Sequence, residues 1–298
     1  PMSTAASIVN AMTVDVEAHF HVTAFADSLS RTRWASQESR VERNTLRLLE
    51  LFDRHGVRIT FFVLGWVAER APQLIKELHR AGHEIACHGL THELVYKQTP
   101  QLFREETHRS KSMLEDLTGA KVRGYRAATY SITAKSLWAL DILEELGFEY
   151  DSSVFPVRHD LYGIPDASRH PFRVASGKLI EVPLTTVRVF GQHLPCAGGG
   201  YFRLLPYGLF RWAVRRANAE GLSAVFYLHP WEVDPQQPRI DAPWRSRFRH
   251  YTNLHRTVGR LEALLKDFQW ASMEEVFLGA PAPQASRPGV PDLVRSPA

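Results

Sequence analysis

His83-Glu-Ile-Ala-Cys-His88-Gly-Leu-Thr-His92 changes character halfway along. Its first half, His83 to Cys87, reads as a short strand. Its second half sets two imidazoles four residues apart, a spacing that on one helical turn puts both on the same side, where they can share a cation. With 14 His in the chain an HxxxH pair alone says little, and its place at the end of a strand is what makes it informative.

The same strand-then-loop grammar recurs on either side. Ile8 to Val16 is a strand ending in Asp15-Val-Glu17, whose two carboxylates fall on one side of an extended chain. Either carboxylate could complete a ligand set with the histidines. Arg40 to His55 carries helical periodicity and stops at Gly56, and Arg58 to Leu64 is a nearly continuous apolar run, as in a strand buried on both faces. A helix follows, with Pro72 in its first turn and Gly82 just past its end. Beyond His92 come a helix from about Pro100 to Leu117, a strand Lys121 to Tyr125, a helix Ala134 to Leu146 capped by Thr133, and a strand Phe148 to Asp151. Leu179 to Leu184 and Ser223 to Leu228 read as strands, separated by a Gly198-Gly-Gly200 loop and a helix Tyr207 to Glu220. A helix from about His250 to Phe268 and the strand Gln269 to Ala271 close the ordered part.

Repeated strand and helix alternation of this kind predicts an α/β fold, a parallel sheet with helices outside and most simply a (β/α) barrel, forming one domain over residues 1–279. Residues 280–298, rich in Pro and Ala, read as a tail.

Composition narrows the function classes. Apolar content of 44% and charged content of 23% are ordinary for a globular protein, and no run approaches the roughly 20 apolar residues of a membrane span. The net charge of +4 is spread among acids rather than clustered, and no nucleic-acid motif accompanies it, so nucleic acid is not expected as a partner. Cys87 and Cys196 are far apart and lack CxxC spacing, which argues for small buried residues rather than a disulfide framework. Residues Pro1 to Ala6 show no basic, then apolar, leader, which makes the cytoplasm the expected compartment. Oligomeric state leaves no signature in the sequence.

The polar residues have a regular address. Asp15, Glu17, His88, His92, Arg126, Asp151 and His229 all sit at or just beyond the C-terminal ends of expected strands, the face on which such barrels keep their sites.

Five ordered motifs carry a resemblance: Thr13-Val-Asp-Val-Glu17, His88-Gly-Leu-Thr-His92, Arg126-Ala-Ala-Thr-Tyr130, Tyr150-Asp-Ser-Ser153 and Leu228-His229-Pro230. Together they resemble the NodB-type polysaccharide deacetylases, carbohydrate esterase family 4, over residues 8–232, and the resemblance implies a distorted, seven-stranded form of the (β/α) barrel. His250-Tyr-Thr-Asn-Leu-His255 and the helix after it are similar to the C-terminal extension, here about 233–279, of the subgroup found with bacterial exopolysaccharide export genes. The resemblance implies metal-dependent removal of acetyl groups from N-acetylhexosamine in a polysaccharide or oligosaccharide. The implied cofactor is one divalent metal, Zn²⁺ first, with Co²⁺ or Ni²⁺ as substitutes.

One departure bears on the ligands. Most of the family carries adjacent aspartates where this chain has Asp15-Val16, and the branch with an Asp-x-Glu pattern is the better match. On that resemblance Glu17, His88 and His92 hold the metal and Asp15 is the general base, with the exchanged roles of Asp15 and Glu17 as the alternative. Arg126 then orients Asp15, His229 protonates the leaving amine, and Asp151 holds the other nitrogen of His229. Tyr130, Phe155, Tyr201 and Trp231 are candidates for stacking on a sugar ring, and backbone N–H groups near Tyr130 for holding an oxyanion. A small-molecule amide or cyclic-imide hydrolase, or a carbohydrate-binding protein without catalysis, would keep the same barrel.

Overall fold

The computed structural model of the chain describes residues 8–174 and 177–279, so the expected tail at 280–298 lies outside the described residues. The first half runs β1 (Val9–Val16), α1 (Val41–Arg54), β2 (Thr60–Val63), α2 (Gly65–Arg70), α3 (Pro72–Arg80), β3 (Glu84–Cys87), α4 (Pro100–Thr118), β4 (Gly124–Tyr125), α5 (Trp138–Glu145) and β5 (Tyr150–Asp151). The second adds β6 (Phe172–Arg173), β7 (Ile180–Glu181), β8 (Thr186–Val189), β9 (Gln192–Pro195), α6 (Gly199–Leu204), α7 (Tyr207–Ala219), β10 (Val225–Leu228), α8 (Trp244–Tyr251), α9 (Thr257–Asp267), β11 (Gln269–Ala271) and α10 (Met273–Phe277).

Strands β10, β1, β2, β3, β4, β5 and β7 stand side by side and all parallel. Antiparallel β6 lies beyond β7, and β11 pairs with the start of β1. The sheet curls into a half-barrel, the (β/α) architecture that the alternation predicted. Its two faces follow from strand periodicity. Ala11, Phe62, Ala86, Tyr150, Ile180 and Val225 turn inward and form the lumen cluster, while Met12, Val14, Phe61, Val63, Ile85 and Cys87 turn outward against the helices. The open side next to β10 is covered: Tyr227 N–H donates to the Ala197 carbonyl at 2.9 Å, and Thr185 Oγ1 accepts from Val225 N–H at 2.6 Å.

The end of the barrel at which the strands begin is plugged by α10. Met273 sits in the lumen cluster, its N–H donating to Thr60 Oγ1 at 2.7 Å, and Glu274 N–H donates to the buried Glu84 carboxyl at 3.0 Å. Tyr150 Oη also reaches Glu84, at 2.7 Å. Burial pushes the Glu84 carboxyl up to about 7, against the pull of the Thr60 hydrogen bond.

Several local expectations are corrected. α5 starts at Trp138 rather than Ala134, because Ser136 Oγ accepts from Thr133 N–H at 3.0 Å and donates to the Ser131 carbonyl at 3.0 Å, closing a turn in which Thr133 Oγ1 accepts from Lys135 N–H at 3.4 Å and does not cap α5. The long helix expected from His250 to Phe268 is α8 and α9, broken where Asn253 takes φ of +57°. Gly198-Gly-Gly200 does not form a loop but leads into α6. The β8–β9 hairpin and the short α2 had no counterpart in the sequence reading.

Candidate active site

Arg126 organises the lumen beneath the strand ends. It is wholly buried, and its fork is spent on named oxygens: Nη1 donates to Thr13 Oγ1 and to Asp15 Oδ1, each at 2.7 Å, and Nη2 and Nε to Ser152 Oγ and the Ser152 carbonyl at 3.2 and 3.3 Å. Its guanidinium lies 4.0 Å over the Phe62 ring. Asp15 Oδ2 accepts from Tyr130 Oη at 3.3 Å. The tyrosine therefore touches the site through its hydroxyl, while its N–H is already given to the Ala127 carbonyl at 3.0 Å and is not free to hold an oxyanion.

Glu17 lies just past the end of β1 and turns to the same side as Asp15. Its Oε2 approaches His92 Nε2 at 2.6 Å and His88 Nε2 at 3.9 Å. The three donor atoms lie within 4.8 Å of one another, all buried. The two histidines do not share a helical turn, contrary to the spacing argument. Gly89 and His92 have φ of +75° and +55°, and this irregular loop aims both rings inward. The Gly89 and Leu90 carbonyls, at 2.8 and 2.9 Å from the N–H groups of Gly65 and Trp66, tie the loop to the start of α2.

The donor set fits a divalent cation. Glu17 Oε2 is buried and makes no hydrogen bond despite the close imidazole, as expected of two ligand atoms that face one ion rather than each other. His88 Nδ1 lies 2.8 Å from the Arg126 carbonyl, an acceptor only, so Nδ1 carries the proton and Nε2 is left for the metal. Burial alone would raise the Glu17 carboxyl, but His92, His229 and His88 outweigh it and hold it well below the usual carboxylate range. Burial also lowers His88, keeping the imidazole in its neutral, ligating form. Two histidines and a carboxylate suit Zn²⁺.

His229 faces the cluster across the lumen, with Nε2 3.6 Å from Glu17 Oε1. Its partner is not Asp151. Nδ1 bonds Glu232 Oε1 at 2.9 Å, and the same oxygen accepts His229 N–H at 3.0 Å. Asp151 is withheld by strand parity: Tyr150 turns into the lumen, so Asp151 turns outward in the row of Tyr125 and Glu181. There it accepts from Ser153 Oγ at 2.6 Å, and burial raises both it and Glu181, the Asp151 carboxyl adding to the rise at Glu181. For His229, burial acts downward but Glu17 and Glu232 prevail, and the imidazole is raised to about 9.

The aromatic candidates separate. Phe155 is fully buried in the lumen cluster and cannot meet a sugar. Trp231 is also buried, stacked on His229 at 5.0 Å and on His250 at 4.0 Å between ring centroids. Tyr201 is half-buried. Glu232 and Tyr227, whose ring packs on Tyr130 at 4.9 Å, were missed. The signal for Glu232 was the His-x-x-Glu spacing of a capping box.

A curled (β/α) barrel with an arginine-held aspartate beside a two-histidine, one-carboxylate cluster defines a class of protein with a prospective metal site at its strand ends. Over residues 32–150 the chain is similar to the polysaccharide deacetylases, NodB-type CE4 proteins. Residues 32–150 match the family described as polysaccharide deacetylase, and residues 152–278 match a domain of unknown function, DUF3473. The chain is 34% identical over 110 residues to the peptidoglycan deacetylase-like protein FGM2 of Gibberella zeae, covering 36% of this chain and 32% of that protein. It is 32% identical over 108 residues to the peptidoglycan deacetylase of Helicobacter pylori, covering 36% of each. The match thus spans about a third of these relatives' length. Among solved structures, a putative polysaccharide deacetylase from Mycobacterium smegmatis superposes with a TM-score of 0.58 at 21% identity, covering 96% of this chain and 99% of that one. A CE4 family pseudoenzyme from Bacillus anthracis superposes with a TM-score of 0.51 at 14% identity, covering 91% and 66%. Both likenesses concern the fold.

Proposed function

We propose that the chain hydrolyses the N-acetyl amide of N-acetylhexosamine residues in a bacterial polysaccharide or oligosaccharide, releasing acetate and leaving the free amine. The observation that carries this reading is the meeting of Glu17, His88 and His92 with Asp15 on one side and His229 on the other. A divalent cation, Zn²⁺ first and Co²⁺ or Ni²⁺ in its place, would be held by the three ligands and would supply Lewis-acid polarisation of the carbonyl and a water of lowered pKa.

The chain's own residues divide the proton traffic. Asp15 has one oxygen fixed by Arg126, which aims its carboxylate to receive the proton that water loses as it adds to the carbonyl carbon. His229, held through Nδ1, presents Nε2 and donates its proton to the nitrogen as the C–N bond breaks. Retention of this acid and base favours an enzyme over a binding protein, because sugar binding needs neither. The C-terminal resemblance favours an exopolysaccharide as the polymer.

The test pairs metal content with acetate release from N-acetylglucosamine oligomers, for the wild type and Glu17→Ala. About one metal per chain with acetate release, both lost in the variant, is the expected result. Metal without acetate release would overturn the substrate class in favour of a small-molecule amide hydrolase.

A further inference from the structure

Behind His229 lies a buried polar assembly that the proposed reaction does not yet use. Glu232 holds His229 through Oε1, and its other oxygen, Oε2, accepts from Arg203 Nε at 2.7 Å. Both side chains are about 1% exposed. Arg203 spends its remaining reach on the C-terminal segment, donating from Nη1 to the carbonyls of His250 and Thr252 at 3.1 and 2.5 Å and from Nη2 to that of Arg249 at 3.1 Å. The backbone of Arg203 is itself clamped, its carbonyl accepting from Asn253 Nδ2 and from Arg260 Nη1, each at 2.9 Å.

The space for this assembly is made by one missing atom. A Cβ on Gly199 would lie 2.2 and 2.3 Å from the two Glu232 oxygens, so the glycine is the seat of the carboxylate. On the other flank the stack of His250 on Trp231 and Trp231 on His229 walls the imidazole in.

We propose that Glu232 and Arg203 are positioning residues for His229, and that the segment Arg249–Thr252 completes the device, so that the C-terminal segment reaches the reaction centre through one arginine. The proposal rests on the reading of His229 as the proton donor. A buried carboxylate that bonds both Nδ1–H and the His229 backbone N–H fixes the ring's rotation and leaves Nε2 toward the scissile nitrogen. Arg203 gives that carboxylate a permanent countercharge, which the imidazole supplies only while it holds both protons.

The experiment compares two substrates on metal-loaded protein. An N-acetylglucosamine oligomer needs its leaving amine protonated; 4-nitrophenyl acetate, whose leaving group departs as an anion, does not. In Glu232→Gln, kcat on the amide is expected to fall roughly 100-fold with KM within about two-fold, and the ester rate by less than about five-fold. Glu232→Asp should recover part of the amide rate, and Gly199→Ala should reproduce the selective loss by displacing the carboxylate. Equal losses on both substrates, or none, would overturn the proposal. If Glu232→Gln does not fold, Glu232→Gln with Arg203→Met removes both buried charges and carries the same expectation. Should the wild type cleave neither substrate, the deacetylase reading fails while the positioning claim stays measurable. The wild type must then show a downfield imidazole proton for Nδ1–H bonded to a buried carboxylate, lost in Glu232→Gln, and its absence from the wild type would sink the claim.

Discussion

At the scale of single residues, the proposed division of labour between Asp15 as base and Glu17 as ligand makes opposite demands on two variants. Asp15→Asn is expected to keep its metal and lose about 10²- to 10⁴-fold in kcat, whereas His88→Ala is expected to lose the metal itself. Metal analysis beside turnover checks both, and the reverse pattern would exchange the roles. Arg126→Lys should cost about 3 kcal/mol in urea unfolding, because an ammonium cannot serve Thr13, Asp15 and Ser152 together from inside the lumen. Which of these residues would meet was legible in the sequence where the geometry is local: Asp15 and Glu17 by alternation, His88 and His92 by their place at the end of β3 although an irregular loop and not a helical turn carries them, and Arg126 by its strand end. Asp151 was misread because its place in a motif says nothing about face. The parity of Tyr150 in a strand two residues long decides that, and it becomes visible only once the register with Tyr125 and Glu181 is known.

Elements were legible to the extent that period and punctuation agreed. The apolar run of β2 and the Pro100 and Gly119 bracket of α4 left little room for another reading. The break between α8 and α9 was hidden, because Asn253 in a left-handed conformation is stabilised by its distant bond to the Arg203 carbonyl. The contact between β3 and α10 gives a prediction in pH. The folded value of Glu84, about 7, lies above its unfolded value of 4.5, so its contribution to stability is complete below about 4.5 and is lost as pH rises through about 7. Glu84→Gln, whose amide can donate to Tyr150 Oη without titrating, should therefore gain on the wild type by up to about 3 kcal/mol between pH 4.5 and 8. Urea titrations of the two proteins across that range are the check, and parallel curves would remove Glu84 from the account.

For the molecule as a whole, the lumen has one end given to chemistry and the other to closure. Ending the chain at Phe268 would remove β11 and α10, leaving Phe62, Tyr150 and Ile180 without their floor. The expected outcome is a broadened, lower thermal transition with dye-binding apolar surface, measured by calorimetry and ANS fluorescence. A sharp transition at the wild-type temperature would show that α10 only decorates the barrel. The general architecture could be read from alternation alone, but this floor could not, since a helix of five residues has too little period to announce its face.

The sheet order carries one more consequence. β1 precedes the other described strands of the sheet in sequence, yet it lies between β2 and β10, with Ala11 opposite Val225 and Asn10 opposite Trp270. During translation its second edge therefore stays unsatisfied until β10 and β11 have emerged, and the contacts that complete it are among the longest in sequence separation between the described strands. Such a chain is expected to fold slowly and late, and to lean on holding factors at the ribosome that its finished surface would no longer attract.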